Sequence, residues 1–205
     1  LVFTVTQTQD LPAQQRIWHL VRQLRELSEA QQALQEIVPG MGNLMLVCKA
    51  EMSSTLPAFA ELLETLWSQS ESIACAGRQL EIPTWYGGSA GPDLAEVAAH
   101  TGLTETEIIE LHSSAQYQVY CLGFQPGFAY LGGMDTRLAT PRKTTPRVAT
   151  PAGSVGIGGR QTGIYPAVSP GGWQIIGHTD LRLFDIARSS PCLLQPGDTI
   201  RFIPQ

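Results

Sequence analysis

Charge is scarce in this sequence. Asp, Glu, Lys and Arg make up 15% of the 205 residues, while 43% are hydrophobic. Soluble domains usually carry ~25% charged residues. That balance excludes intrinsic disorder, because the chain has ample apolar side chain to bury and little charge to hold it open. Long apolar runs are missing too. The longest clear one, Leu44 to Cys48, falls far short of the ~20 residues that span a bilayer, which excludes a transmembrane reading. Cysteine is sparse and scattered over Cys48, Cys75, Cys121 and Cys192, with no C-x-x-C pair. Neither a disulfide scaffold nor a zinc knuckle is written there, and single thiols suit a reducing cytoplasm. No basic excess exists: 13 Lys and Arg stand against 18 Asp and Glu, a net charge of −5. That argues against generic nucleic-acid binding. Residues 1–10 lack the basic start and small-residue cleavage site of a secretory signal. A soluble cytoplasmic protein is the expectation, with no membrane partner.

Glycine and proline are unevenly spread. Residues 1–86 hold 3 Gly and 4 Pro, and residues 87–205 hold 17 Gly and 10 Pro. Such a contrast in turn content predicts two folds meeting near residue 87. In the first part, Leu1, Phe3 and Val5 alternate with threonines as in a half-buried strand. Asp10 and Pro12 suit a helix start, and Ile17, Leu20, Val21, Leu24 and Leu27 then share one helical face. Residues 33–38 and 44–49 read as strands joined by the turn Pro39-Gly40-Met41-Gly42. Phe59, Leu62, Leu63, Leu66 and Trp67 give a second amphipathic helix, and Leu80, Ile82 and Thr84 a closing strand. The order β-α-β-β-α-β is the ferredoxin-like split arrangement, read as scaffold or interface.

Residues 87–113 read as a linker with two short helices. Asp93 is placed to cap the first, which stops at Gly102. Thr104 and Glu107 have capping-box spacing for the second, which carries His112 in its last turn. From Tyr117 onward, β-type runs such as 118–122, 173–177 and 199–203 are punctuated by Gly and Pro, as in a compact barrel or sandwich. The fold class expected is α+β, with a ferredoxin-like domain over 1–86 and linker helices plus a β-barrel over 87–205.

Charge points to where chemistry sits. Between Ser113 and Thr179 the only acid is Asp135, against Arg137, Arg142, Lys143, Arg147 and Arg160, so that stretch is 5 − 1 = +4 within a −5 chain. Arginine's rigid fork of donors suits carboxylate and phosphate. The alternative is that these cations point separately into solvent. The run 152–159, Ala-Gly-Ser-Val-Gly-Ile-Gly-Gly, either brings backbone amides to an anion or makes tight barrel turns. It is not a Walker A loop, because Arg160-Gln161-Thr162 follows it. It is not a G-x-S-x-G elbow either, because Ala152 takes the first glycine position. No His or Cys spacing suggests a metal site.

Five motifs are recognisable in order: Tyr117 through Gly133 (YQVYCLGFQPGFAYLGG), Ala139-Thr140-Pro141-Arg142 with Pro146-Arg147, Pro151 through Ile157, Gln161 through Pro166, and Ser169-Pro170-Gly171-Gly172-Trp173. Together they resemble the family of the 5-oxoprolinase B subunit. That family includes proteins labelled allophanate hydrolase subunit 1 and the Kip-type inhibitor of a sporulation kinase, and is related to subdomains of the carboxyltransferase module of urea carboxylase. The resemblance implies a cyclophilin-like barrel after the ferredoxin-like domain. It also implies a share in the ATP-dependent opening of 5-oxo-L-proline to L-glutamate. The expected partners are a homologous C subunit plus a separate A subunit, with Mg accompanying ATP. Phosphorylating the lactam oxygen makes it a leaving group, a step that needs cations and amide donors rather than a protein nucleophile.

On that resemblance, Arg142, Arg147 and the Gly153–Gly159 loop, with Ser154, are expected around an anion, and His112 as a proton-transfer or polarising group. Tyr130, Gln161, Tyr165 and Ser169 are expected to orient a small anionic substrate. Phe124, Phe128 and Trp173, with Pro126 and Gly127, are expected to shape its pocket. His178 stands where relatives often carry Arg. Biotin attachment needs a lysine between methionines, and neither Lys49 nor Lys143 has such flanks, so no biotin is expected here. The other roles the family leaves open are inhibition of a sensor histidine kinase and an allophanate-hydrolase or carboxyltransferase-related subunit.

Overall fold

The structure, a computed structural model, describes residues 1–6, 10–71 and 77–205. The chain divides into two compact units, Leu1–Ala76 and Gly77–Gln205. In the first, β1 (Val2–Thr4) is followed by α1 (Leu11–Glu26), α2 (Ser28–Ala33), β2 (Leu34–Pro39), β3 (Asn43–Cys48) and α3 (Leu56–Gln69). The three strands form an antiparallel sheet in the order β1-β3-β2. Asp10 caps α1 as its position suggests, its side chain accepting from the Ala13 amide at 3.1 Å. The apolar stripe Ile17, Leu20, Val21 and Leu24 is buried with Leu44 and Leu46 of the sheet and Phe59 and Leu63 of α3. Each such side chain contributes ~1.5–3 kcal/mol by leaving water. The buried Gln14 donates to the Gly40 carbonyl and accepts from the Gly42 amide, tying the β2–β3 turn to α1.

The second unit holds β4 (Gln79–Tyr86), α4 (Leu94–Thr101), α5 (Glu105–Ser114), β5 (Tyr117–Leu122), β6 (Ala129–Gly132), β7 (Arg147–Thr150), β8 (Ser154–Gly158), β9 (Gln161–Ile164), β10 (Ser169–Gly171), β11 (Gln174–His178) and β12 (Thr199–Pro204). Seven of these strands close a barrel in the order β11-β4-β12-β5-β6-β9-β8, while β7 and β10 pair as a separate ribbon. Closure leaves these strands no open edge. Ile82, Val119, Leu131, Val155, Ile157, Ile176 and Phe202 fill the interior. The fold class is thus α+β: the first unit keeps the ferredoxin-like order without its last strand, and a closed β-barrel follows.

The unit boundary lies ten residues earlier than the composition shift suggests. The strand expected to close the N-terminal sheet is β4, and it pairs instead with β12 in parallel (Leu80 beside Ile200, Ile82 beside Phe202) and with β11. The two-residue alternation of Leu80, Ile82 and Thr84 suits either sheet. What decides is a long-range lock: the Arg78 amide and guanidinium both donate to the buried Asp198 carboxylate at the start of β12.

The helices between β4 and β5 obey their local signals, with one exception. Thr104 and Glu107 form a full capping box, and Gly102 ends α4 at φ 75°, a conformation glycine adopts freely. Asp93 precedes α4 but makes no capping bond. Its carboxylate accepts from the Ile175 amide of β11 instead, at 2.6 Å.

Candidate functional site

The glycine-rich run that looked like a possible anion cradle is strand β8. Its residues pair with β9 (Gly156 beside Gly163, Gly158 beside Gln161) and with β11. The flanking Gly153 and Gly159 amides donate to the carbonyls of Tyr165 and Thr140. Those donors are consumed by the barrel, so the run offers no nest for phosphate. Its glycines serve packing. A Cβ on Gly158 would lie 2.4 Å from the Trp173 indole nitrogen, and one on Gly163 3.2 Å from both Phe128 and Trp173. The bare backbone of β8 and β9 is a floor on which aromatic rings lie. Gly158→Ala is therefore expected to lift Trp173 and cost about 1–3 kcal/mol, read from the urea midpoint together with a change in near-ultraviolet circular dichroism.

Above this floor stands a second apolar cluster, separate from the barrel interior: Phe128, Tyr165, Trp173 and Ile175, with Tyr130 packed against it. Phe128 meets Tyr130, Tyr165 and Trp173 edge-on, with ring centroids 5.2, 5.8 and 5.6 Å apart. Together with Pro146, Gly172 and Arg142 these rings line a hollow of about 290 Å³. Arg142 sits over the Trp173 ring, 5.9 Å from its centroid. Burial raises the pKa values of the Tyr130 and Tyr165 hydroxyls, and the charge of Arg142 opposes that rise in part. One cation therefore faces two hydroxyls and an aromatic wall.

Phe124 forms the outer edge of the hollow. Its backbone lies at φ 66°, the one non-glycine residue at positive φ among the described residues. That conformation costs roughly 1–2 kcal/mol. Its ring is 64% exposed and stands edge-on to Phe128 at 5.4 Å. The turn forces this: Gln125 donates to the Gly123 carbonyl and Phe128 to the Gln125 carbonyl, so the chain must reverse at Phe124. Strain of this kind gathers at binding sites.

Arg142 is held from both sides. The Gln174 amide donates to the Pro141 carbonyl at 3.2 Å, and the Lys143 amide to the Gly172 carbonyl at 2.7 Å. The Lys143 ammonium reaches Asp93 and Glu96, and Arg147 reaches Asp93 and the Trp173 carbonyl. Asp93, 3% exposed, is thus the anchor of the whole cationic loop. Burial pushes its carboxyl pKa up, but Arg147, the Ile175 amide and Lys143 outweigh that and leave it below the ordinary value.

The expected residues separate accordingly. Phe124, Phe128, Tyr130, Arg142, Tyr165 and Trp173 come together at the hollow. Arg147 lies behind it, engaged by Asp93. His112 lies elsewhere, fully buried in the barrel interior. Its Nδ1 is 2.7 Å from the Tyr86 hydroxyl and its Nε2 is 2.8 Å from Thr162 Oγ1, with the Phe202 ring tilted against it at a centroid distance of 4.4 Å. Burial pushes its pKa down to about 3. A neutral ring with both nitrogens engaged inside the barrel does not meet a ligand in the hollow. Pro126, Gly153 and His178 line a different hollow with Arg182 and Phe184. Ser154 is buried at the start of β8, and the Ser169 hydroxyl accepts from Gln125 at 3.4 Å. Gln161 heads β9, and Gly127 turns the chain at φ 85°. Asp93, Gln174 and Pro146 were missed. The charge segregation held the clue to Asp93: a stretch with five cations and one acid must find its buried counter-ion in another segment. Among the described residues, no group of three or more His, Cys, Asp or Glu is arranged to hold a metal ion, and no helix is long and apolar enough to cross a membrane.

The model of the family "Carboxyltransferase domain, subdomain C and D" matches residues 1–194. A protein of Escherichia coli O157:H7 named as the B subunit of 5-oxoprolinase is 52% identical over 195 residues, spanning 95% of this chain and 87% of that protein. This chain belongs to the carboxyltransferase subdomain C and D family. A second member of the same name, from Haemophilus influenzae, is 47% identical over 93% of this chain and 86% of its own length. Among solved structures of the family's fold, TTHA0988 superposes with a TM-score of 0.83 at 35% identity. All of this chain is covered there, but it spans only 39% of the TTHA0988 chain.

Proposed function

We propose that this chain is the B subunit of an ATP-dependent 5-oxoprolinase, acting with the A and C subunits to open 5-oxo-L-proline to L-glutamate. The relatives' names supply the reaction, and the observation that carries the reading is Arg142, poised over Trp173 at a small aromatic hollow. A hollow of about 290 Å³ stands at the lower end of small-molecule sites, ~300–1,000 Å³, and suits one five-membered ring. Arg142 holds the substrate carboxylate, a charge-assisted bond worth roughly 1.5–3 kcal/mol. Phe128 and Trp173 exclude water from the ring, and the Tyr130 hydroxyl orients the lactam. The phosphates of ATP do not fit this chain's glycine run, whose amides are committed to the barrel, so no phosphate chemistry is assigned to these residues.

Purified chain with ATP and 5-oxoproline is expected to form no glutamate until the A and C subunits are added. In the reconstituted complex, Arg142→Gln is expected to lower kcat/KM by roughly 10–100-fold without altering the chain's thermal midpoint, because Arg142 is exposed and bonds no acid among the described residues. Equal turnover by a complex assembled without this chain would remove the reading.

A further inference from the structure

We propose that the aromatic hollow selects a cyclic monoanion: it holds a small ring bearing one carboxylate and no ammonium group, and it rejects the open-chain amino acid formed from that ring. This deepens the reading of the chain as part of a 5-oxoprolinase and rests on it.

Charge bookkeeping around the hollow carries the inference. Three cations lie in the segment 142–147, and two are already paired: Lys143 with Asp93 and Glu96, and Arg147 with Asp93. Arg142 alone among the three bonds no acid among the described residues, and pinning of Pro141 and Lys143 on either side fixes its position. The hollow therefore has one positive charge to give and satisfies one carboxylate. A second carboxylate would lie against Phe128, Tyr165 and Trp173 without a counter-ion, and burying an unpaired charge is strongly unfavourable.

An ammonium group is excluded by the same arrangement. Aromatic faces ordinarily attract cations, but Arg142 already sits over the Trp173 face, 5.9 Å from its centroid, so a ligand cation there would meet like charge. A lactam nitrogen carries no charge and asks only for hydrogen bonds. The Tyr130 hydroxyl, on the wall of the hollow, forms no hydrogen bond among the described residues and is free to supply one. 5-Oxoproline presents one carboxylate on a neutral ring. Glutamate presents two carboxylates and an ammonium. Opening the lactam thus converts a ligand that the hollow satisfies into one that it does not, and product leaves.

The test uses the full chain with ¹⁵N-labelled tryptophan, the Trp173 indole signal being assigned by its loss in Trp173→Phe. 5-Oxoproline and cyclopentanecarboxylate are expected to shift that signal to saturation. Glutamate, proline and 2-pyrrolidinone are expected to bind at least about tenfold more weakly, the last for want of a carboxylate. Arg142→Gln is expected to weaken 5-oxoproline binding at least about tenfold while the other tryptophan signals keep their positions. Glutamate or proline binding as tightly as 5-oxoproline, or an unchanged affinity in Arg142→Gln, overturns the proposal. If the complex opens 5-oxoproline while Trp173 never responds, the selectivity assignment falls and the 5-oxoprolinase reading stands. If Trp173 responds as expected but the complex turns over equally without this chain, the 5-oxoprolinase reading falls and a site for cyclic carboxylates remains.

Discussion

Asp93→Ala is expected to destabilise the barrel unit by about 3–5 kcal/mol, the usual loss when one member of a buried ion pair is removed. The carboxylate is buried and accepts from three donors: the Ile175 amide, the Arg147 guanidinium and the Lys143 ammonium. Deleting it orphans an amide of a barrel strand, which alone costs about 1–3 kcal/mol, and leaves the half-buried Arg147 without its acid. Asp93→Asn preserves shape and an acceptor for Ile175, so a smaller loss is expected. Lys143→Met should cost less still, about 0–1 kcal/mol, because the ammonium also leans on the exposed Glu96. The order Ala > Asn > Met in urea midpoint shifts is the signature of a buried anchor. A loss under about 1 kcal/mol for Asp93→Ala would mean the loop is held by Gln174 and Gly172 instead.

The same residue shows what the sequence does and does not make legible. Signals that act within one or two turns were readable as they stand: Asp10 at its cap, the Thr104–Glu107 box and Gly102 at a left-handed helix end. Each depends on neighbours a few positions away, so spacing alone specifies it. Asp93 has the same local appearance as Asp10 but bonds residues 50–82 positions later. No helix-start rule distinguishes the two. The strand around Ile82 failed in the same way. Its alternation fixed a strand with one buried face, while its parallel partner, β12, lies more than a hundred residues downstream.

The site was legible in part for the same reason. The resemblance groups aromatic and cationic residues of the motifs between Phe124 and Trp173, and six of them, Phe128 included, line one hollow. The glycines were misleading because a loop of free amides and a strand bare enough to seat an indole draw on the same residue. Only the pairing of Gly156 with Gly163 and the approach of Trp173 to Gly158 tell them apart. His112 misled in turn: a polar residue at the end of an amphipathic helix looks like a site residue until its burial is known.

That burial sets an expectation for acid. Thr162 Oγ1 donates its single proton to the Gly156 carbonyl at 3.0 Å, so it accepts from His112 Nε2–H, and Nδ1 is then the bare nitrogen that accepts from the Tyr86 hydroxyl. The folded chain keeps this ring neutral until about pH 3, whereas in the unfolded chain it takes a proton near the ordinary value of ~6.5. Below that value the unfolded state binds the extra proton, so stability falls as pH falls and rises with pH up to neutrality. Between the ordinary value and pH 5 this difference removes about 2 kcal/mol, at ~1.4 kcal/mol per pH unit. Carboxylates add their own acid loss below about pH 4, so the decisive window is pH 7 to 5. Urea midpoints of the unaltered chain should fall across that window, and those of His112→Gln, less stable at pH 7 for want of the imidazole, should stay nearly level. Parallel slopes for the two chains would show that His112 exchanges protons with solvent in the folded state, and the sealed network of Tyr86, His112 and Thr162 would have to be abandoned.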